Sequence, residues 1–318
     1  MFEITKVDAD RPLNFMKLSK PTTILSILLL LVAIASLSIN KLNWGLDFTG
    51  GTLVEVGFSQ PANLEELRDV LSANDFEDAV VQNFGSSRDV LVRVPPRMEA
   101  ENADAVGDQL FRLLSTEVDS NLDLRRVEFV GPSVGEELAE AGGLAMIVAA
   151  ICILIYVSFR FEWRIALASV IGLVQDVLMV LGLFSLLQIQ VDLTILAALL
   201  AVIGYSLNDS IVISDRIREN FRKLRNTEVL DVINISLSQC LSRTLITSLT
   251  TIMVLLTLYL FGGQMVNGFA LAMLIGVVVG TYSSTFTRTT IMVALGISRE
   301  DLMPPEVEKE GEEQENLV

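Results

Sequence analysis

Hydrophobic residues in this chain gather into long runs instead of alternating with polar residues. The first run occupies residues 22–42. Five more lie at 138–159, 165–187, 193–214, 245–261 and 269–295. About 20 apolar residues are enough for a helix to cross the hydrocarbon core of a bilayer. The pattern therefore predicts six transmembrane helices embedded in membrane lipid.

The first run follows two basic residues, Lys17 and Lys20, as the apolar core of a secretory signal peptide would. The run is long enough to span a bilayer, and no clear cleavage site of small residues follows it. We therefore expect the first run to be a retained membrane anchor.

The polar segment between the first two runs, residues 43–137, has the periodicity of a folded domain. Strand-like patterns occur in GTLVEVGF, AVVQNF, DVLVRV and LRRVEFV, and helical spacing occurs in NLEELRDVLSA and ADAVGDQLFRLLSTEV. The order βαββαβ is that of the ferredoxin-like arrangement. The predicted fold class is a polytopic α-helical membrane protein with six transmembrane helices plus one ferredoxin-like α+β domain.

Basic residues in the short loops predict the orientation of the helices. The loop with Arg160 and Arg164 and the segment DRIRENFRKLR are basic, whereas the loops QIQVD and GGQMVNG contain no Lys or Arg. Cytoplasmic loops are enriched in Lys and Arg. We therefore expect both termini in the cytoplasm, with residues 1–21 as the cytoplasmic N-terminus and residues 43–137 on the opposite side of the membrane.

Two further segments have distinct compositions. Residues 227–243 mix apolar and polar positions, which predicts an amphipathic segment on the cytoplasmic face leading into the fifth span. Residues 296–318 are acidic and poor in apolar side chains, which predicts a disordered cytoplasmic tail.

Composition excludes several kinds of partner and site. The net charge of −16 argues against a nucleic acid partner, because phosphate binding needs basic surface. The chain has no His, so imidazole cannot serve as a metal ligand or proton carrier. FTGGT lacks the Lys and the spacing of a Walker motif. We expect no cofactor and no metal, and we expect Cys152 and Cys240 to be unpaired.

Three predicted spans contain polar residues that a lipid-facing helix would exclude. Asp176 lies near the middle of the third span, and Asn208 and Asp209 lie in the fourth. A central aspartate costs at least about 2.5–3.5 kcal/mol on insertion scales. The fifth span opens with Arg243, Thr247, Thr250 and Thr251 on one helix face, and Gly276, Gly280, Ser284, Thr287 and Arg288 form a stripe on the sixth.

Two interpretations of Asp209 follow from the residues alone, and both remain open. It could be a structural group, satisfied by Arg243, Asn208 or neighbouring hydroxyls. It could instead be a proton site, because burial disfavours the charged form of a carboxylate while a nearby cation favours it. A charge crossing the membrane potential yields about 2.3 kcal/mol per 100 mV, enough to bias a conformational equilibrium. The same two interpretations apply to Asp176.

Three motifs resemble the SecF family of bacterial protein-export subunits, within the resistance-nodulation-division superfamily. They are WGLDFTGGTLVEV after the first span, FVGPSVGEEL before the second, and AVIGYSLNDSIVISDRIREN in the fourth, in the same order as in the family. The resemblance extends over almost the whole chain and includes SRTLITS at the start of the fifth span.

The resemblance implies a function in protein transport at a bacterial inner membrane, with the ferredoxin-like domain of residues 43–137 in the periplasm. Members pair with SecD, associate with the SecYEG channel and YajC, and use the proton motive force to promote late stages of polypeptide export after the SecA-driven stage. SecA is thus an indirect partner, and the translocating polypeptide is the client. The functional aspartate and arginine of the family correspond to Asp209 and Arg243. The proton path is implied to lie at the interface with SecD.

Three alternatives remain at this stage. The chain could be half of a proton-driven small-molecule exporter of the same superfamily. It could be a non-transporting scaffold subunit that holds SecD. It could be an intramembrane aspartyl protease using Asp176 and Asp209, although YSLND does not supply the GxGD signature of such enzymes. Our expectation is that the protein is not an enzyme.

Overall fold

The computed structural model describes residues 12–96, 103–224 and 226–298. Residues 1–11 of the predicted cytoplasmic N-terminus and residues 299–318 of the predicted disordered tail lie outside the described residues. A 3₁₀ turn at Phe15–Leu18 leads into helix α1 (Ser19–Ile39). A short linker follows, made of strand β1 (Asn43–Trp44) and the one-turn helix α2 (Leu46–Thr49).

The polar segment forms the predicted α+β domain, here called the external domain. Its elements are β2 (Gly51–Gly57), α3 (Leu64–Ala73), β3 (Val80–Phe84), β4 (Ser86–Val94), α4 (Ala103–Glu117) and β5 (Asp123–Val130). The sheet is antiparallel throughout, with strand order β3-β4-β2-β5. Alternating valines of β2 and β4 face leucines of α3 and α4, and these side chains form the core of the domain.

The second half of the chain consists of long helices. They are α5 (Pro132–Arg160), α6 (Trp163–Leu187), α7 (Leu193–Lys223), α8 (Val229–Phe261), α9 (Gln264–Tyr282) and α10 (Arg288–Ala294). Strand β6 (Gln190–Val191) lies between α6 and α7, and a π-helical turn, Ser283–Thr287, joins α9 to α10. Counting α9 through α10 as one unit, six helices among the described residues are long and apolar enough to cross a membrane. The predicted fold class is confirmed.

The segment predicted to lie along the membrane surface is continuous with the helix of the fifth span. Helix α8 is continuous from Val229 to Phe261, so no break separates residues 227–243 from the span. Its first turns bury Ile233 and Leu237 against Ile217 and Phe221 of α7. α7 in turn continues well past the predicted end of its span at residue 214. The apolar face of the segment is therefore covered by protein.

Burial separates the six spans into a central and a peripheral group. Half of the apolar window of α6 is buried and 44% of the windows of α7 and of the α9–α10 unit, against 17% or less in α1, α5 and α8. Polar side chains in a bilayer need partners within the protein. The three central helices are the ones that carry Asp176, Asp209 and Arg288.

Candidate functional site

Asp209 lies on α7 with its carboxylate turned towards α8 and the π-helical turn. Its residue exposure is 9%. Thr244 donates a hydrogen bond from Oγ1 to Asp209 Oδ1 at 2.8 Å, and Ser284 donates from Oγ to Oδ2 at 2.5 Å. Within the described part of the chain, no Lys or Arg forms an ion pair with Asp209. Its two hydrogen-bonding partners are therefore neutral hydroxyls.

The hydroxyl of Ser284 has a second acceptor, which gives the site two satisfied arrangements. Ser284 Oγ lies 2.5 Å from Asp209 Oδ2 and 3.0 Å from the Thr281 carbonyl oxygen. When Asp209 is ionised, Ser284 donates to the carboxylate. When Asp209 is protonated, its O–H can donate to Ser284 Oγ while the Ser284 hydrogen turns to Thr281, because a hydroxyl both donates and accepts. Proton exchange thus leaves no polar group without a partner.

Asp176 has a different environment, because a cation neutralises it. Arg288 Nη2 donates to Asp176 Oδ2 at 2.6 Å, and both side chains are 1% exposed. Ser206 Oγ donates to the same oxygen at 2.5 Å. Arg288 also donates to the Ser206 carbonyl oxygen at 2.8 Å and to Ser210 Oγ. Arg288 therefore binds α7 on both sides of Asp209 as well as Asp176 on α6.

Local features of α6 and of the last helix make this pair possible. Gly172 lies one turn before Asp176, and a Cβ at that position would overlap the Arg288 side chain. The π-helical turn supplies Ser284 to Asp209 and is followed directly by Arg288. π-Helical turns are frequent at functional sites. Here the turn and the residue that follows it supply a partner to each buried carboxylate, Ser284 to Asp209 and Arg288 to Asp176.

The other two predicted proton-path residues, Asn208 and Arg243, point outwards. Both are exposed, and neither makes a hydrogen bond or ion pair with Asp209 among the described residues. Thr247 is exposed as well and donates to backbone oxygens of its own helix. The face of α8 that meets Asp209 is instead the one with Thr244 and Ser248. A direct Arg243–Asp209 contact is therefore absent from this structure, because Arg243 lies one residue off the inward face.

A line of further hydroxyls lies beside the site. Ser248 Oγ lies 2.8 Å from Thr281 Oγ1, and Tyr205 donates to Ser248 at 3.3 Å. Tyr205 is one turn nearer the external domain than Asp209 on α7. Thr281 links this line to Ser284 through its carbonyl oxygen. The hydroxyls thus extend from Asp209 towards the external end of the bundle.

Sequence reasoning missed two aspects of the site. It placed Arg288 on a stripe of small and polar residues without pairing it with Asp176, although a second buried charge in an apolar span was the available signal. It grouped Arg243 and Thr247 on one polar face of the fifth span, whereas Thr244, one residue after Arg243, is the residue that bonds to Asp209. The partners Thr244 and Ser284 carry no signal that distinguishes them from neighbouring Ser and Thr residues.

Two family models match the chain. The one described as "Protein export membrane protein SecD/SecF, C-terminal" covers residues 111–298, and the one described as "SecD/SecF GG Motif" covers residues 35–62. Among curated proteins, protein translocase subunit SecF of Vibrio alginolyticus is 54% identical over 98% of each chain. The same subunit of Escherichia coli O157:H7 is 50% identical over 92% of this chain and 90% of its own length.

Two solved structures that match the chain are also of SecDF proteins. The crystal structure of SecDF, a translocon-associated membrane protein from Thermus thermophilus, matches with a TM-score of 0.82 and 36% identity over 92% of this chain. SecDF in a super-membrane-facing form matches with a TM-score of 0.66 at the same identity, over 93% of this chain. In both cases the chain spans 39% of the longer SecDF chain.

Proposed function

Since the chain belongs to the SecF branch of the SecD/SecF family, subunits of the Sec protein translocation machinery, we propose that it uses the proton motive force to promote late stages of polypeptide export. Asp209 is the group that takes up and releases the proton. The external domain is the part that moves when Asp209 takes up or releases a proton. The family is one of membrane transport proteins, so the aspartyl protease interpretation is wrong.

The observation that carries this proposal is the contrast between the two buried aspartates. Asp176 is held by a guanidinium, and protonating it would leave Arg288 as a buried charge without its partner, which costs several kcal/mol. Asp209 is held by two hydroxyls that can serve either protonation state. Of the two, Asp209 is the group that can exchange a proton without breaking an ion pair. Asp176 is assigned a positioning role.

The proton route follows from the polar groups around Asp209. Towards the external end, Ser284, Thr281, Ser248 and Tyr205 form the line of hydroxyls. On the surface of the bundle, Asn208 and Arg243 are the exposed neighbours of Asp209 and Thr244. We assign these two to the partner-facing part of the route, which fits a path that is completed at an interface with SecD.

Partners and orientation are part of the same proposal. The chain pairs with SecD, and the complex associates with the SecYEG channel and YajC and acts on the translocating polypeptide after SecA. Both termini lie in the cytoplasm of a bacterium and the external domain in the periplasm. Large apolar side chains exposed along α1, α5 and α8 offer surface for lipid and for a membrane partner.

The test is Asp209→Asn in the intact SecD-containing complex. Export into inverted membrane vesicles is measured with and without a proton gradient, and assembly is followed by co-purification. We expect gradient-stimulated export to disappear while assembly is retained. The matched control is Asp215→Asn, which changes a partly exposed aspartate six residues further along α7 that pairs with Arg160.

The scaffold alternative makes the opposite prediction. A scaffold whose buried charges only hold SecD would lose assembly in Asp209→Asn or would lose nothing. Full gradient stimulation in that variant would overturn the proton role of Asp209. The exporter alternative has no support from the relatives, which are translocase subunits over nearly their full length.

A further inference from the structure

The motif GLDFTGG, which the proposed function leaves without a role, joins the external domain to the helix that carries Asp209. Asp47 of α2 accepts a hydrogen bond at Oδ2 from the backbone N–H of Leu193 at 2.9 Å. Leu193 is the first residue of α7. The first N–H groups of a helix have no partner within the helix, so a carboxylate from elsewhere satisfies one of them. Asp47 is therefore a cap of α7 supplied by the linker.

The cap belongs to a larger junction between the linker and the start of α7. Strand β1 pairs in parallel with β6, which directly precedes α7. The Gly45 N–H donates to the Val191 carbonyl oxygen at 2.7 Å, and a Cβ on Gly45 would lie 2.9 Å from that oxygen. Asp192, the N-cap of α7, accepts from the Ile195 N–H at 2.9 Å. Asp47 and Asp192 together occupy the positive end of the α7 dipole.

The same linker leads directly into the central part of the external domain. β2 begins two residues after α2 and pairs with both β4 and β5. Gly50 and Gly51 make the turn with φ values of +66° and +116°, a region that residues with a Cβ rarely adopt. A Cβ on Gly135 of α5 would lie 2.9 Å from the Gly50 nitrogen. The turn is thus packed closely against α5, the second span.

We propose that Asp47 is the positioning residue that transmits movement of α7 to the external domain. Asp209 lies 16 residues from Leu193 on one continuous helix, or roughly 24 Å at the rise of an α-helix. A displacement of α7 caused at Asp209 reaches Leu193 through that helix. It then passes through the Asp47 cap and the β1–β6 pair into β2. This inference rests on the proposed function, because Asp209 protonation is the event that it transmits.

Two substitutions remove the cap from opposite sides. Asp47→Ala removes the acceptor. Leu193→Pro removes the donor, and proline is well tolerated at the first position of a helix. Asp192 already has the extended backbone that a residue before proline adopts. The matched controls are Leu193→Ala, which keeps the N–H, and Thr49→Ala, whose hydroxyl bonds only within its own turn.

The measurement is hydrogen exchange of the SecD-containing complex in nanodiscs at pH 5 and pH 8, with peptides from β2 and from the first turns of α7 monitored and each rate compared with the intrinsic exchange rate of the same peptide at that pH to give a protection factor. In the wild type we expect the protection factors of both regions to depend on pH. In Asp47→Ala and Leu193→Pro we expect the pH response of α7 to remain and that of β2 to be reduced, because only the β1–β6 pair then connects the two. Exchange in the first turn of α7 should rise about fivefold from the missing cap.

Further variants separate failure of this inference from failure of the proposed function. Asp209→Asn should abolish the pH response of both regions, and a wild-type response there would overturn the proton role of Asp209. Asp47→Asn keeps an oxygen acceptor and should retain transmission. The double variant Asp47→Ala/Leu193→Pro should be no worse than either single one. A wild-type β2 response in Asp47→Ala or Leu193→Pro would overturn the assignment of Asp47.

Discussion

Arg288 and Asp176 form an ion pair between the last helix and α6, with Nη2 and Oδ2 2.6 Å apart and both side chains buried. Arg288 extends from the end of the π-helical turn and also binds the turn of α7 that carries Asp209. The contacts of Arg288 thus connect the three central helices around the proposed proton site. It also divides the two buried aspartates into one that is neutralised by a cation and one that is held by hydroxyls.

The ion pair predicts a specific pattern of stability changes. Arg288→Met or Asp176→Leu alone should lower the free energy of unfolding by about 3–5 kcal/mol, because the remaining charge is buried without its partner. The double variant Asp176→Leu/Arg288→Met should recover most of that loss. Unfolding of the purified complex in mixed detergent micelles, analysed as a double-mutant cycle, measures the coupling.

The matched control for the ion pair is Arg160→Met on α5. Arg160 pairs with Asp215 at 2.6 Å, but both side chains are more than one third exposed. Such surface pairs contribute about 0–1 kcal/mol. If Arg288→Met is no more destabilising than Arg160→Met, the clamp assigned to Arg288 is wrong.

Thr244 should matter more than its neighbours of the same residue type. Thr244→Val keeps the shape of the side chain and removes the hydrogen bond to Asp209 Oδ1. Hydrogen bonds to charged groups contribute about 1.5–3 kcal/mol, so we expect a loss of stability of that order together with weaker gradient-stimulated export. Thr247→Val, at an exposed position of the same helix, should change stability by less than about 0.5 kcal/mol. Equal effects of the two variants would count against the hydrogen bond.

Arg243 should affect export without affecting stability. Its side chain is exposed and makes no ion pair with Asp209 in the described structure, so Arg243→Ala should change the free energy of unfolding by less than about 0.5 kcal/mol. Gradient-stimulated export in the complex should nevertheless fall, because we assign Arg243 to the partner-facing part of the proton route. Normal export by a normally assembled Arg243→Ala complex would remove Arg243 from that route.

Asp119 predicts a pH dependence confined to the external domain. The Ser59 hydroxyl donates to Asp119 at 2.6 Å, and with the Asn121 and Ser59 N–H groups it lowers the pKa of that carboxyl below its usual value. A lowered folded-state pKa contributes stability above the unfolded-state pKa, and this contribution is lost as the pH falls through the folded-state value. The protection factor of the Ser59 amide, which bonds to Asp119, should therefore fall only in that acidic range.

The matched variants for this titration are Ser59→Ala and Ser115→Ala. Ser59→Ala should raise the pKa of Asp119 towards that of an unperturbed aspartate, as followed by NMR of the side-chain carboxyl carbon. Ser115 lies in α4 and donates to a backbone oxygen of its own helix, so its replacement should leave the titration unchanged. An unchanged Asp119 titration in Ser59→Ala would contradict the stated cause.

Local hydrophobic periodicity was enough to predict the main elements and their order. Long apolar runs require helices in a membrane, and period-two patterns separated by helical ones produced the ferredoxin-like domain, because both follow from local hydrophobic periodicity. The sequence also identified Asp176 and Asp209 as carboxylates that are energetically costly to place inside a membrane span and therefore require partners.

Which polar groups contact one another depends on how the helices pack, and this is visible only in the three-dimensional structure. Arg288 and Asp176 are 112 residues apart, and Asp47 and Leu193 are 146 apart, so no local pattern connects them. The register of α8 turns Thr244 inwards and leaves Arg243 outside. Rotating a helix by one residue moves a side chain by about 100° around its axis. The packing of α8 against α7 and α9, rather than composition, fixes the rotation of α8 about its own axis. Because of that rotation Thr244 forms a hydrogen bond with Asp209, whereas Arg243 is exposed.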